Sequence, residues 1–278
     1  MPEELKPAES PEIAHLTAAD PVLAGIIAVA GPHGLAADLK GTPFQALASA
    51  ITHQQLNGIA ARTILGRFVA LLGRKGRFPQ PQAVLDADAA ALRAVGLSFA
   101  KIAALKDLAA KTLDGTVPSR AEIASMSDDE IVERLTSVRG IGRWTVEMML
   151  MFQLGRADVL PIDDFGVRQG FMRVYGLRAA PHPKVLALFG ERWRPYRSAA
   201  AWYLWRAIEL HKKGKLPPAT VLTRMPRLPR RRRKPKAKRK TQAKRVEKAK
   251  RKKKRSPAQR RIARALRPQP RSRRLSTR

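Results

Sequence analysis

LTSVRGIGRWTVEMMLMF, residues 135–152, decides how this chain folds. Gly140 and Gly142 flank Ile141 and separate two segments whose apolar residues recur at helical spacing. Glycine permits a tight turn and lets the backbone approach a ligand closely, because it has no Cβ. The stretch therefore predicts two short helices joined by a compact hairpin, with Ile141 packed back between them.

Helix signals continue on both sides of this hairpin, from Asp20 to about Leu216. The start signals are Asp20-Pro21, Thr42-Pro43 and the capping-box pairs Ser119/Glu122 and Ser127/Glu130. The stop signals are Gly31-Pro32, Gly73, Gly96 and Asp114-Gly115. No convincing alternating strand pattern interrupts them. We predict an all-α body of eight to ten short helices.

The net charge of +33 on the 278 residues is concentrated at one end of the chain. Residues 227–278 hold 27 Lys and Arg against one Glu, a net +26, which leaves +7 on residues 1–226. Such a field favours a polyanionic partner, and nucleic acid is favoured over a membrane surface. Since the segment has few large apolar residues, we predict a disordered Lys/Arg-rich tail at 217–278, after a flexible leader at 1–18 and a helical domain at 19–216.

Composition excludes several classes of site. The chain has no Cys, so it can form neither a disulfide, a thiolate zinc site nor a Cys-ligated iron–sulfur cluster. The five His show no metal-ligand spacing, and no apolar run reaches the roughly 18–20 residues that span a bilayer. We expect no cofactor, apart from a candidate Na⁺ or K⁺ ion at the hairpin.

Three further motifs accompany the hairpin in a fixed order: AITHQQLNGIAART (50–63), PIDDFGVRQG (161–170) and ERWRPYRSAAAWYLW (191–205). Together they resemble the helix–hairpin–helix (HhH-GPD) DNA glycosylase superfamily, over about residues 20–215. The GIGRWT hairpin is similar to that of the 3-methyladenine DNA glycosylase II branch. The resemblance implies two helical subdomains with a cleft between them, and double-stranded DNA containing damaged bases as the partner.

The resemblance places the catalytic carboxylate at Asp164. Cleavage of the glycosidic bond builds positive charge on the sugar, and a fixed carboxylate stabilises that charge more in the transition state than in the ground state. Alternatively, one or both of Asp163 and Asp164 only cap the helix that begins near Phe165, and we assign that structural role mainly to Asp163.

The residue after Arg143 separates two chemistries in this superfamily. Bifunctional members carry a Lys there that attacks the sugar, whereas this chain has Trp144, so we expect water to be the nucleophile and no lyase activity. The resemblance also assigns Trp205, Trp144 and Met148 to the base pocket, where aromatic faces attract a cationic alkylated purine. Each Trp is alternatively an ordinary core residue.

Further assignments concern the DNA side of the site. The resemblance implies that Gln55 is the wedge that fills the gap left by a flipped nucleotide, with a solvent-facing Gln as the alternative. The predicted DNA-backbone contacts are Gly140, Gly142, Arg143 and Thr145, at the start of a helix whose N–H groups and dipole favour a phosphate. The backbone carbonyls of Thr136, Val138 and Ile141 form a candidate monovalent cation site. His53 receives no role.

The leading interpretation is a monofunctional DNA glycosylase that removes alkylated purines and so starts base-excision repair. A glycosylase for another damaged base, and a non-catalytic DNA-binding or architectural protein, stay open. We expect a monomer whose tail binds DNA non-specifically, located in the cytoplasm with the nucleoid in a bacterium or in the nucleus of a eukaryote.

Overall fold

A computed structural model describes residues 10–38 and 41–219. Within these ranges the chain forms thirteen α-helices, one 3₁₀ helix (Glu191–Trp193) and no strand. The α-helices are α1 (Pro11–Ala19), α2 (Pro21–Ala30), α3 (Pro43–His53), α4 (Gly58–Leu72), α5 (Pro81–Asp86), α6 (Ala89–Ala94), α7 (Phe99–Leu113), α8 (Arg120–Ser125), α9 (Asp128–Thr136), α10 (Arg143–Phe152), α11 (Phe165–Val174), α12 (Pro183–Gly190) and α13 (Arg197–Lys212). None of these helices is both long and apolar enough to cross a membrane.

The predicted all-α class is confirmed, and helix boundaries follow the capping signals. Ser119 and Ser127 each accept a bond from the third backbone N–H of α8 and α9, and Glu122 and Glu130 reach back to the capping residues. The helices outnumber the eight to ten predicted, because α5, α6 and α8 have six residues each. Helices this short leave too few turns for a periodic pattern to be recognised.

The helices pack as two groups, as the predicted pair of subdomains requires. Helices α3 to α10 form the first group, in which α7 packs against both α3 and α5. The second group contains α1, α2 and α11 to α13, with α13 packed on α11 and α2. The N-terminal helices therefore complete a subdomain whose other helices come from the C-terminal part of the described chain.

Asp20 fastens the second group together. Its Oδ1 caps α2 by accepting from the Val22 and Leu23 amides, and its Oδ2 accepts from Tyr175 Oη at 2.6 Å and Trp193 Nε1 at 2.9 Å. The residue is only 2% exposed. A buried carboxylate is stable when donors surround it, and this one ties the start of α2 to α11 and the 3₁₀ helix.

Helix α1 corrects the predicted leader at residues 1–18. Residues 11–18 are helical, and Ile13 and Leu16 are buried in the core. The two apolar residues are three apart on one face of a short helix, so packing against the core holds the segment in place. The predicted tail lies outside the described residues apart from 217–219, and its disorder stays a prediction.

Candidate active site

Asp164 is the N-cap of α11, and three N–H donors hold its half-buried carboxylate. Oδ1 accepts from the Val167 amide at 2.7 Å and from Trp205 Nε1 at 2.8 Å. Oδ2 accepts from Trp144 Nε1 at 2.7 Å. The structure therefore brings together three predicted site residues from α10, α13 and the start of α11, where the two helix groups meet.

The cap of α11 is a correction to the sequence analysis. Asp163 was expected to cap this helix, yet the cap is Asp164, and Asp163 is exposed. An N-cap residue must place its side-chain oxygen over the N–H two or three residues further on. Asp164 meets this requirement with Val167, so one side chain both caps the helix and binds the two indoles.

A cavity of about 530 Å³ lies between α3, the turn after α3, and α10. Trp144, Met148 and Phe152 line it from one face of α10, since they are spaced four residues apart. Trp144 is 49% exposed, so a large part of its surface is free to contact a ligand. The cavity has the form expected for a base pocket.

Phe152 is a site residue that the sequence analysis missed, although its spacing from Trp144 and Met148 carries the signal. Its ring stacks on Trp205, with 5.9 Å between ring centroids and an interplanar angle of 26°. Trp205 was predicted to line the pocket, but it is not among the residues that line this cavity. It lies behind Phe152 and is hydrogen-bonded to Asp164.

The turn between α3 and α4 places Gln55 at the edge of this cavity. Gln55 is exposed and has φ of +58°, a left-handed conformation that is uncommon for residues other than glycine. The preceding side chain is fixed, because Gln54 Nε2 donates to the Gly140 carbonyl at 2.9 Å. The predicted wedge turn is therefore hydrogen-bonded directly to the hairpin.

The hairpin joins α9 to α10 as the sequence predicts. Gly140 has φ of +78°, and Ile141 is buried between the helices. Gly142 is the N-cap of α10 and offers no side-chain acceptor. The N–H groups of Arg143 and Trp144 at the start of α10 are therefore left for an outside acceptor, which is the arrangement that binds phosphate at helix N-termini.

Helix α7 supports the hairpin through two side chains that the sequence analysis did not single out. Asp107 Oδ2 accepts from the Arg139 amide at 2.7 Å and from Lys111 Nζ at 2.9 Å, and Lys111 Nζ also donates to the Ser137 carbonyl. Burial by itself would raise the pKa of Asp107, but the Arg139 N–H and the Lys111 ammonium outweigh burial and lower it. The carboxylate therefore holds the turn in its charged form.

Of the predicted DNA-backbone contacts, Arg143 is exposed whereas Thr145 is buried. Arg143 lies at the surface and is held by Glu147, with 3.0 Å between Nε and Oε1. The pKa of Glu147 is raised above its ordinary value. Burial is the largest cause, the hydrogen bond and positive charge of Arg143 lower the pKa in part, and the negative charges of Asp163 and Asp164 add to the rise. The Arg143 side chain is 58% exposed, so it keeps N–H groups for a phosphate.

Thr145 corrects the predicted set of DNA-backbone contacts. It is 9% exposed and lines the cavity, and its amide N–H is donated to the Gly142 carbonyl. Since α10 turns Thr145 inward one residue after Trp144, it forms part of the pocket wall.

The described residues contain no group of three or more His, Asp or Glu side chains arranged to hold a metal ion. Any ion at the hairpin would therefore rely on backbone carbonyls, as the sequence analysis expects.

Comparison with known proteins identifies the class of molecule to which this fold and site belong. Residues 48–195 match the family described as HhH-GPD superfamily base excision DNA repair protein. The match spans more than half of the chain, and the chain belongs to this superfamily.

Particular relatives narrow the comparison. DNA-3-methyladenine glycosylase 1 of Schizosaccharomyces pombe is 41% identical over 171 residues, which are 62% of this chain and 75% of that protein. The structure of the S. pombe 3-methyladenine DNA glycosylase in complex with abasic DNA has a TM-score of 0.64 and 36% identity, and the match covers 71% of this chain and 96% of that one. The DNA-3-methyladenine glycosidase of Bacillus halodurans has a TM-score of 0.68 and 35% identity, covering 74% and 93%.

Proposed function

We propose that this protein is a monofunctional DNA glycosylase that hydrolyses the N-glycosidic bond of alkylated purines, of the 3-methyladenine and 7-methylguanine type, in duplex DNA. The observation that carries the proposal is the Asp164 carboxylate, which Trp144 and Trp205 hold beside an aromatic-lined cavity. The substrates in the names of the relatives support the lesion class.

The proposed role of Asp164 is electrostatic. When the base leaves with the electrons of the C1′–N bond, the sugar becomes an oxocarbenium-like cation, and a carboxylate already in position stabilises it. Three N–H donors fix the carboxylate of Asp164, so it does not have to reorient during the reaction. Water then bonds to C1′ and releases a proton, which leaves an abasic site.

The absence of lyase activity is part of the proposal. A lyase needs an amine that forms a Schiff base with the sugar. Trp144 occupies the position where the lyase branch carries Lys, and its indole donates to Asp164. No lysine is among the described residues that line the cavity, so water is the better-supported nucleophile.

The DNA-binding part of the proposal uses the two turns. The first N–H groups of α10, with Gly140, Gly142 and Arg143, bind the backbone next to the lesion. Gln55 inserts into the base stack and replaces the flipped base. Extruding a base costs a few kcal/mol, and this cost is smallest for a damaged base.

The hairpin carbonyls of Thr136, Val138 and Ile141 fit a monovalent cation by their chemistry, because Na⁺ and K⁺ are hard cations that take oxygen ligands. The Val138 carbonyl accepts from the Ile141 amide at 3.0 Å, which leaves its second lone pair for an ion. A bound cation would add positive charge beside the phosphate. We also propose that the protein acts as a monomer and that its basic tail binds DNA without sequence preference.

The test uses the full chain and a panel of single-lesion duplexes together with methylated DNA. Asp164→Asn should keep DNA binding and lose excision by roughly 10²–10³-fold, the usual effect of removing one preorganised electrostatic group. Asn is as good an N-cap as Asp, so α11 should stay intact. Release of bases is measured directly, and strands are analysed with and without alkali.

Asp163→Asn is the matched control, because it removes the same charge from the exposed neighbour. It should excise at close to the wild-type rate. Full activity in Asp164→Asn would refute the catalytic assignment, and strand breaks without alkali would refute the monofunctional one.

A further inference from the structure

His53 occupies a place in the candidate site that the mechanism above does not use. It is the last residue of α3, and its ring lines the cavity opposite Trp144 and Met148 on α10. It lies next to Gln54, whose side-chain Nε2 already donates a hydrogen bond to the Gly140 carbonyl. The polar ring of His53 therefore faces aromatic and apolar side chains across the cavity.

One hydrogen bond fixes which nitrogen of His53 carries the proton. Nδ1 lies 2.8 Å from the Ser49 carbonyl oxygen, one helical turn earlier. A carbonyl oxygen can only accept, so Nδ1 must be the protonated nitrogen. In the neutral ring Nε2 then carries a lone pair, and it has no hydrogen-bond partner among the residues the structure describes.

The acceptor at Nε2 gives the cavity a polar contact for a bound base. In the neutral ring, with Nδ1 donating to the Ser49 carbonyl, Nε2 can accept a hydrogen bond from an N–H group on that base.

We propose that His53 determines specificity by accepting a hydrogen bond at Nε2 from the exocyclic amine of an adenine-type base. This inference rests on the proposed function, because it assumes that the flipped base enters this cavity. The protein then favours 3-methyladenine over purines that carry no N–H at that edge, such as 1,N6-ethenoadenine. A base without the donor leaves Nε2 desolvated and unpaired, which is the situation that produces discrimination.

The first experiment measures binding without catalysis. Free 3-methyladenine and free 3-methylpurine differ only in the exocyclic amine, and both are titrated into the full chain while quenching of tryptophan fluorescence is followed. The wild type should bind 3-methyladenine about tenfold more tightly, the value of one good hydrogen bond. His53→Phe keeps a ring without an acceptor and should bind the two bases equally, whereas His53→Gln keeps an acceptor and should retain part of the preference.

The second experiment measures excision of 3-methyladenine and of 1,N6-ethenoadenine by the same variants. His53→Phe should slow release of the first by about tenfold relative to the second. Thermal unfolding of each variant checks that the fold is kept.

Equal losses for both lesions, or an unchanged preference of His53→Phe between the two free bases, would show that His53 is only part of the wall and would overturn the inference. If the wild type excises no alkylated purine, the proposed function fails, while the free-base titration still decides the role of His53.

Discussion

The Asp164 carboxylate joins three helices through its two oxygens. It caps α11, and it accepts the indole N–H groups of Trp144 from α10 and Trp205 from α13. Because the two indoles bind different oxygens, the plane of the carboxylate is fixed as well as its position. In the proposed chemistry, the two indoles therefore orient the Asp164 carboxylate, in addition to any contact they make with the base.

Trp205→Phe tests this orienting role. The change removes the N–H that Oδ1 accepts and keeps an aromatic ring against Phe152. We expect the single-turnover excision rate to fall by about tenfold, with DNA affinity unchanged, because the variant lacks one hydrogen bond to a charged group. Trp202→Phe is the control on the same helix, since Trp202 packs against Tyr203 and His33. Equal effects of the two changes would argue that Trp205 acts through packing alone.

At the scale of elements, α7 supports both of the turns that we propose to contact DNA. Lys101 Nζ donates to the Thr52 carbonyl at 2.8 Å near the end of α3, and Asp107 holds the Arg139 amide of the hairpin. A Cβ added to Gly140 would meet Ala104 Cβ at 3.4 Å, so the hairpin lies directly on this helix. One rigid helix thus sets the spacing between the wedge turn and the hairpin, and the Gln54 bond to Gly140 closes the arrangement.

Asp107→Asn should lower the free energy of unfolding by roughly 1 kcal/mol at neutral pH. The effect is smaller than for a fully buried charged hydrogen bond, because solvent partly screens the exposed side chain. The pKa of Asp107 is lowered in the folded protein from its ordinary value of 3.8. Its contribution is therefore fully present above that value and is lost as the pH falls through the lowered pKa. Denaturant unfolding of both proteins from pH 7 to pH 3 measures the difference.

Asp86→Asn, at an exposed carboxylate on α5, is the control for Asp107→Asn and should change the unfolding free energy by less than about 0.5 kcal/mol at pH 7. A difference between wild type and Asp107→Asn that grows as the pH falls would contradict the assigned role of the charge.

At the scale of the whole molecule, most of the net positive charge is concentrated in one segment of the sequence. Residues 227–278 carry +26 of the net charge of +33, and the remaining residues are only mildly basic. Binding through such a segment is dominated by the release of counterions and depends little on base sequence. Recognition of the lesion is then left to the helical domain.

Deletion of residues 227–278 should leave excision on short duplexes largely intact but weaken DNA binding and flatten its salt dependence. The slope of log K against log salt should fall by roughly 0.9 for each phosphate that the tail no longer neutralises. Affinity is measured from about 50 to 200 mM salt, the range over which such binding varies steeply. A variant of full length with Gln in place of the Lys and Arg of this segment separates charge from chain length. An unchanged slope in both variants would mean that the tail does not contact DNA.

Local sequence signals predicted the features that depend on interactions between residues close together in the chain. The capping boxes at Ser119 and Ser127, the Gly140-Ile141-Gly142 turn and the all-α class depend on contacts within a few residues, and the structure contains each of them. Residues 11–18 of the predicted leader are helical, because the burial of Ile13 and Leu16 depends on helices that follow them in the chain. The assignment of the cap mainly to Asp163 was wrong because the choice of cap depends on backbone geometry.

The sequence by itself determined the helices, the hairpin and the motifs from which membership of the superfamily could be recognised, since periodicity, caps and glycines act over one or two turns. Only the tertiary structure decided that two indoles bind the oxygens of Asp164, that Phe152 joins the pocket, that His53 faces it and that α7 supports both turns. Those contacts join residues far apart in the chain, such as Asp164 and Trp205, which are 41 positions apart. Their geometry is set by the packing of whole helices, which no local pattern specifies.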